Sequence, residues 1–130
     1  MMPYTKEADN MDINISRYNQ EEAVNQDLDL VHLLILEWYI VSKEENTMES
    51  KIIDKETYHY INYEQVAKDL TIIRLCGETI RRRYKKLADK GLLKCKLVMD
   101  DKYNHYYTEG KNFHLIVKQT TPSNEINYLN

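Results

Sequence analysis

Residues 74–96 read RLCGETIRRRYKKLADKGLLKCK, and the spacing within this stretch sets the expectation for the whole chain. Ile80, Tyr84 and Leu87 recur at i, i+4 and i+7, which places them along one side of a helix. Glu78, Arg82, Lys85 and Asp89 centre on the opposite face, with Arg81 and Lys86 at its flanks and Arg83 at the apolar border. Gly91 follows as the residue past the helix end, so a helix is predicted from Gly77 to Lys90. The stretch holds nine bases (Arg74, Arg81, Arg82, Arg83, Lys85, Lys86, Lys90, Lys94 and Lys96) against Glu78 and Asp89, an excess of seven positive charges in a chain of formal net charge −3. Such segregation creates a local positive field that the pI of 5.8 conceals, and a polyanion is the partner that field attracts.

Working outward, Leu92 to Val98 alternates as a strand, Asp100-Asp101-Lys102-Tyr103-Asn104 turns the chain, and His105 to Thr108 returns it as a hairpin. On the other side, Asn62 is placed to cap a helix running through Leu70, with Gln65 at the capping-box position and Val66, Ala67 and Leu70 as its core stripe. Thr71 to Gly77 connects that helix to the basic one. Lys51 to Tyr63 reads as a short hairpin or single strand. A first helix is predicted from Asp27 to Ser42, with Val31, Leu34, Ile35, Trp38 and Val41 on one stripe and Leu33, Leu36 and Ile40 on a second. A helix apolar on two sides must be covered on two sides. A second copy of the chain packing on Leu33, Leu36 and Ile40 is the simplest cover, giving a homodimer; the rival is an N-terminal arm folding back through Ile13 and Ile15.

At 130 residues with 42% hydrophobic and 30% charged residues, the chain fits one globular domain. The expected division is a polar, acidic and flexible arm over residues 1–26, one domain over 27–118 and a polar tail over 119–130. The N-terminus lacks the charged and apolar regions of a secretory signal. The longest apolar run, Leu28 to Val41, is broken by Asp29, His32 and Glu37 and falls short of the about 20 residues of a membrane span. Cys76 and Cys95 have no disulfide-framework or zinc spacing, which suits a reducing compartment; a cytoplasmic protein that does not enter membranes is expected.

Two helices joined by a short turn, the second basic on its free face and followed at once by a β-hairpin, define a winged helix-turn-helix. The expected class is therefore α+β, mainly α, in the order helix, short strand, helix, turn, recognition helix, β-hairpin wing. The residues Tyr58-His59-Tyr60-Ile61-Asn62-Tyr63, then Glu78-Thr79-Ile80-Arg81-Arg82-Arg83-Tyr84-Lys85-Lys86-Leu87, then Lys90-Gly91-Leu92-Leu93 and Tyr106-Tyr107-Thr108 carry a resemblance to a known family. Over roughly residues 28–117 the chain resembles the N-terminal winged-helix domain of replication initiator and replisome-organiser proteins from phages and plasmids of low-GC Gram-positive bacteria. At the start of the basic helix it departs from that family, with Cys76 and Gly77 where Ser, Thr or Asp usually caps.

The resemblance implies double-stranded DNA as partner, in replication initiation, plasmid maintenance or transcriptional regulation. The residues expected to meet DNA are Glu78, Thr79, Arg81, Arg82, Lys85 and Lys86 on the helix and Lys102, Tyr103 and Asn104 on the wing. The alternative is a winged-helix protein-protein interaction module, within a replication or regulatory complex, that does not touch DNA. No enzyme is expected: there is no Gly-rich phosphate loop, and Tyr103, Tyr106 and Tyr107 lack the Arg and His constellation of a strand-transferase. His32, His59, His105 and His114 have no mutual ligand spacing, so neither metal nor cofactor is expected. Cys76 is read as an inert thiol, with redox sensing as its sharper alternative.

Overall fold

The first long helix, Leu30–Glu44, is fixed at its start by Asp29. The Asp29 carboxylate accepts from the His32 amide at 3.2 Å while His32 Nδ1 accepts from the Asp29 amide at 3.1 Å, a reciprocal cap. The structure is a computed structural model that describes residues 15–100 and 102–118. In it the helices are α1 (Gln20–Asn25), α2 (Leu30–Glu44), α3 (Tyr63–Asp69), α4 (Gly77–Asp89) and α5 (Phe113–Ile116). The strands are β1 (Ser50–Ile53), β2 (Glu56–Tyr60), β3 (Leu93–Met99) and β4 (Tyr103–Glu109), so the fold is α+β.

The strands form one antiparallel sheet in the order β1-β2-β4-β3, two hairpins joined through His59↔Tyr107 and Tyr60↔Tyr106. The region expected as a hairpin or single strand is a hairpin, turned by Asp54 and Lys55, both at positive φ. Directly opposed residues share a face. His59, Tyr107, Cys95, His105 and Leu97 therefore lie on the helix side, where the Tyr107 ring meets that of Tyr84 at 5.6 Å. Tyr58, Tyr60, Tyr106, Lys51, Lys94 and Lys96 occupy the outer side.

Helix α3 starts at Asn62, whose side chain accepts from the amides of Glu64 and Gln65. Gln65 does not complete the expected capping box; its amide donates instead to Asp69 at 2.9 Å. A 3-10 turn, Thr71–Ile73, and Arg74 at φ 55 reverse the chain into α4. Helix α4 ends at Asp89 with Lys90 as its C-cap, and Gly91 follows at φ 81, where a side chain would be strained and would press on the Asn112 amide. Ile80, Tyr84 and Leu87 are fully buried, as their spacing requires.

Every residue from His32 to Ile40 is buried. Leu33, Leu36 and Ile40, for which the sequence suggested a second copy as the simplest cover, are 6%, 0% and 7% exposed within the single chain. They belong to one buried core with Tyr18, Ala23, Phe113, Ile116 and Val117, residues from both ends of the described chain, so the second stripe is buried within the single chain. Ile15 does not serve as that cover, being 39% exposed, and Ile13 lies outside the described residues.

The cover is clasped by backbone bonds: Asn19 N–H to Ile116 O and Lys118 N–H to Arg17 O, both 2.7 Å. Beneath it, the buried Glu37 carboxylate accepts from the Tyr18 hydroxyl at 2.6 Å and faces Arg17 Nε at 3.1 Å. Residues 15–26, expected as part of a flexible arm, are thus built into the fold. One tyrosine among polar residues and a six-residue helix leave no periodicity to detect, whereas an uncovered Glu37 would be costly. Residues 1–14, the rest of the expected arm, and 119–130, the whole of the expected tail, lie outside the described residues. Among the described residues no helix is long and apolar enough to cross a membrane.

Candidate nucleic-acid interface

Helix α4 packs against α2 and α3 through its buried side and presents a ridge on which Arg82 and Lys85 are the most open bases, 71% and 65% exposed. Cys76 holds the N-cap position in extended conformation without a side-chain cap bond. Its Sγ lies 3.5 Å from Thr79 Oγ1; the Thr79 hydroxyl and the Thr79 and Glu78 amides lower the pKa of this exposed thiol.

Two clefts flank the ridge. On the sheet side, Arg81 and Lys85 overhang Cys95, Leu97, His105 and Tyr107 in a groove of about 1070 Å³ that also wraps the edge strand β3. His105 and Tyr107, which line it, both meet Tyr63, whose hydroxyl lies 2.6 Å from His105 Nδ1 and 2.8 Å from the Tyr107 hydroxyl. Burial, then the Arg81 charge, lowers the His105 pKa. On the other side Thr79, Arg82, Arg83 and Lys86 face Asp27, Asp29 and His32 across a cleft of about 420 Å³.

The wing carries Tyr103 opposite Met99 and Asn104 opposite Val98. Lys102 and Tyr103 are exposed and Asn104 is half-buried; Asp101 lies outside the described residues. Leu97 and Met99 are exposed on the same face as Tyr103, so the wing end is more apolar than Lys102 alone suggested.

The electrostatics of α4 differ from those of the bare sequence. Glu78 accepts from Arg81 Nη2 at 2.6 Å and Arg82 Nε at 3.3 Å, and the Arg81 hydrogen bond is the chief cause of a carboxyl pKa brought down to about 2. Lys85 pairs with Asp89 at 3.3 Å. Arg83 Nη1 binds both oxygens of Asp29 at 2.8 and 2.7 Å, and Lys86 Nζ binds the Asp27 carbonyl at 2.6 Å and carboxylate at 3.0 Å. Lys94 pairs with Glu56, and Lys96 with Asp54. Four acids from outside residues 74–96 therefore stand against its bases, and the excess of seven positive charges falls to three.

The expected helix set, Glu78, Thr79, Arg81, Arg82, Lys85 and Lys86, comes together on one element, and the wing residues Tyr103 and Asn104 sit on the β3-β4 hairpin that follows it. Asp27, Asp29, Tyr63 and His105 complete the surroundings. Sequence reasoning placed His105 on the returning strand of the hairpin but missed the other three, because pairs 42 to 59 residues apart leave no periodic trace. Only the Ser/Thr/Asp/Asn preference at helix starts could have marked Asp29. Among the described residues no group of His, Cys, Asp or Glu could hold a metal ion. Comparison with protein-family models, curated proteins and solved structures yields no match.

Proposed function

We propose that this chain binds double-stranded DNA as a winged helix-turn-helix, with α4 entering the major groove and the β3-β4 hairpin as the wing. The observation that carries this is the exposed ridge of Arg82 and Lys85, flanked by Arg81 and Lys86, on a helix that follows α3 through a short turn. The major groove, about 12 Å wide, admits one helix, and early residues such as the exposed Glu78 and Arg82 and the half-buried Thr79 would reach base edges while Lys85 and Lys86 meet phosphates. Exposed ion pairs contribute only about 0–1 kcal/mol each, so phosphates can take the place of Glu78 and Asp89 at low cost. The likeness to phage and plasmid initiator domains supports a role in replication initiation, plasmid maintenance or transcriptional control inside the cell. The unit proposed is the single chain, since Leu33, Leu36 and Ile40 require no second copy.

A second reading is favoured by the pairing just described. A basic helix already matched by acids suits a protein partner better than bare DNA, and in that case the α4 ridge and the wing form a protein-interaction surface. A mobility-shift titration over a salt series separates the two. DNA binding through the ridge gives a linear fall of log affinity with log salt, at a slope of about −0.9 per phosphate contact, and Arg82→Glu with Lys85→Glu removes most of it. Salt-insensitive binding, or full binding by the double variant, would leave the protein-interaction module.

A further inference from the structure

The cleft between α4 and the start of α2 has the chemistry of a phosphate site, yet its cations are occupied. Arg83, Lys86, Arg82 and Thr79 line one wall, and the first turn of the 15-residue α2 forms the other. Amides at a helix start and a guanidinium beside an ammonium are the groups that hold phosphate. Two carboxylates stand there instead. Asp29 spans Arg83 with both oxygens, and Asp27, held at φ 64, turns its carbonyl and carboxylate onto Lys86.

A second observation points to a ligand. His32, 3% exposed, lines the same cleft, and its Nδ1 lies 3.0 Å from Asp29 Oδ1, 3.1 Å from the Asp29 amide and 3.4 Å from Arg83 Nη1. Because the Asp29 amide donates to Nδ1, the neutral ring carries its proton on Nε2, which is buried and has no partner among the described residues. A buried donor without an acceptor carries a standing desolvation cost, which an anion's oxygen or a water would relieve.

We propose that this cleft is a phosphate-binding site held shut by Asp27 and Asp29, which act as built-in stand-ins for the anion. It rests in part on the DNA-binding reading, since a backbone phosphate is the natural occupant beside Arg82, but the site itself is defined by phosphate chemistry. Opening the loop exchanges two carboxylates for one phosphate on the same cations. The chain's affinity for a polyanion is thereby set by a contact within the chain.

The test uses Asp27→Asn with Asp29→Asn in the full chain. Asparagine caps helices about as well as aspartate, so Asp29→Asn retains the start of α2. A control carrying Glu44→Gln and Glu45→Gln removes the same charge at the far end of α2. Inorganic phosphate is titrated while the side-chain NMR signals of His32, Thr79, Arg83 and Lys86 are followed. The expected result is a saturable shift of these signals in the asparagine variant at concentrations that leave the parent and the control unmoved. With a 20-base-pair duplex, the asparagine variant should steepen the slope of log affinity against log salt by about 0.9, the value for one added phosphate contact. No phosphate response in the asparagine variant, or the same response in all three proteins, overturns the proposal. A phosphate response in that variant without duplex binding by any of the proteins supports the cleft and overturns the DNA-binding reading instead.

Discussion

The Tyr84 hydroxyl donates to the Ile35 carbonyl oxygen at 2.6 Å, a buried bond that fixes the rotation of α4 against α2. Tyr84 is fully buried, and its ring lies 5.9 Å from that of Tyr63 and 5.6 Å from that of Tyr107. One side chain thus joins α2, α3, α4 and β4. With its rotation set, α4 turns Arg82 and Lys85 outward. Tyr84→Phe keeps the ring and removes the bond from a carbonyl that still serves the helix ladder, so the expected cost is about 1 kcal/mol. Urea unfolding followed by the fluorescence of Trp38 measures it; an unchanged midpoint would show the bond to be replaceable.

Lys102 sits exposed at the wing and is the wing's base in the proposed DNA complex. Lys102→Ala should weaken binding to specific and random duplex about equally and lower the salt slope by about 0.9, because a phosphate contact carries no sequence information. If random-duplex affinity stays intact while specificity is lost, the wing reads bases.

Leu36 has no exposure in the single chain. A charge placed there meets apolar surroundings without a partner, so Leu36→Asp is expected to unfold the domain rather than dissociate an assembly. Sedimentation equilibrium of the parent at micromolar concentration should give a mass near 15.6 kDa. A parent at twice that mass would show that a second copy uses another surface.

His32, His59 and His105 each have a pKa lowered chiefly by burial; Arg83 and Lys86 add to this at His32, Lys43 at His59 and Arg81 at His105, while Asp29 opposes it at His32. Below about pH 6.5 the unfolded chain takes up protons that the folded one refuses. Stability is therefore complete above that pH and falls as pH drops toward the lowered folded values. Denaturant midpoints from pH 7.5 to 5.5 should decline. His32→Gln, which keeps a capping-box side chain, should flatten part of the decline. A parent midpoint independent of pH would contradict the burial assigned to these rings.

A further loss begins at lower pH, where Asp29 titrates. Burial pushes its carboxyl up, but the Arg83 and His32 hydrogen bonds with the charges of His32 and Arg83 outweigh that and hold it at about 2. Its stabilising effect is present above its ordinary range near 4 and is lost as pH falls toward 2.

Local regularities settled much of this protein in advance. The 3.6-residue period of Ile80, Tyr84 and Leu87 set the buried face of α4, Asn62 marked the start of α3, and Gly91 the end of α4. These depend on neighbours within a turn or two, so the sequence carries them directly. What covers Leu33, Leu36 and Ile40 was not legible, because Tyr18, Phe113 and Ile116 come from distant, short segments without a period. Nor was the true charge of residues 74–96. Chain order grouped the nine bases of that stretch, but the approach of Asp27, Asp29, Asp54 and Glu56 is decided by how the loops pack. Coulomb interactions depend on distance in space rather than along the chain, and only the tertiary structure sets those distances.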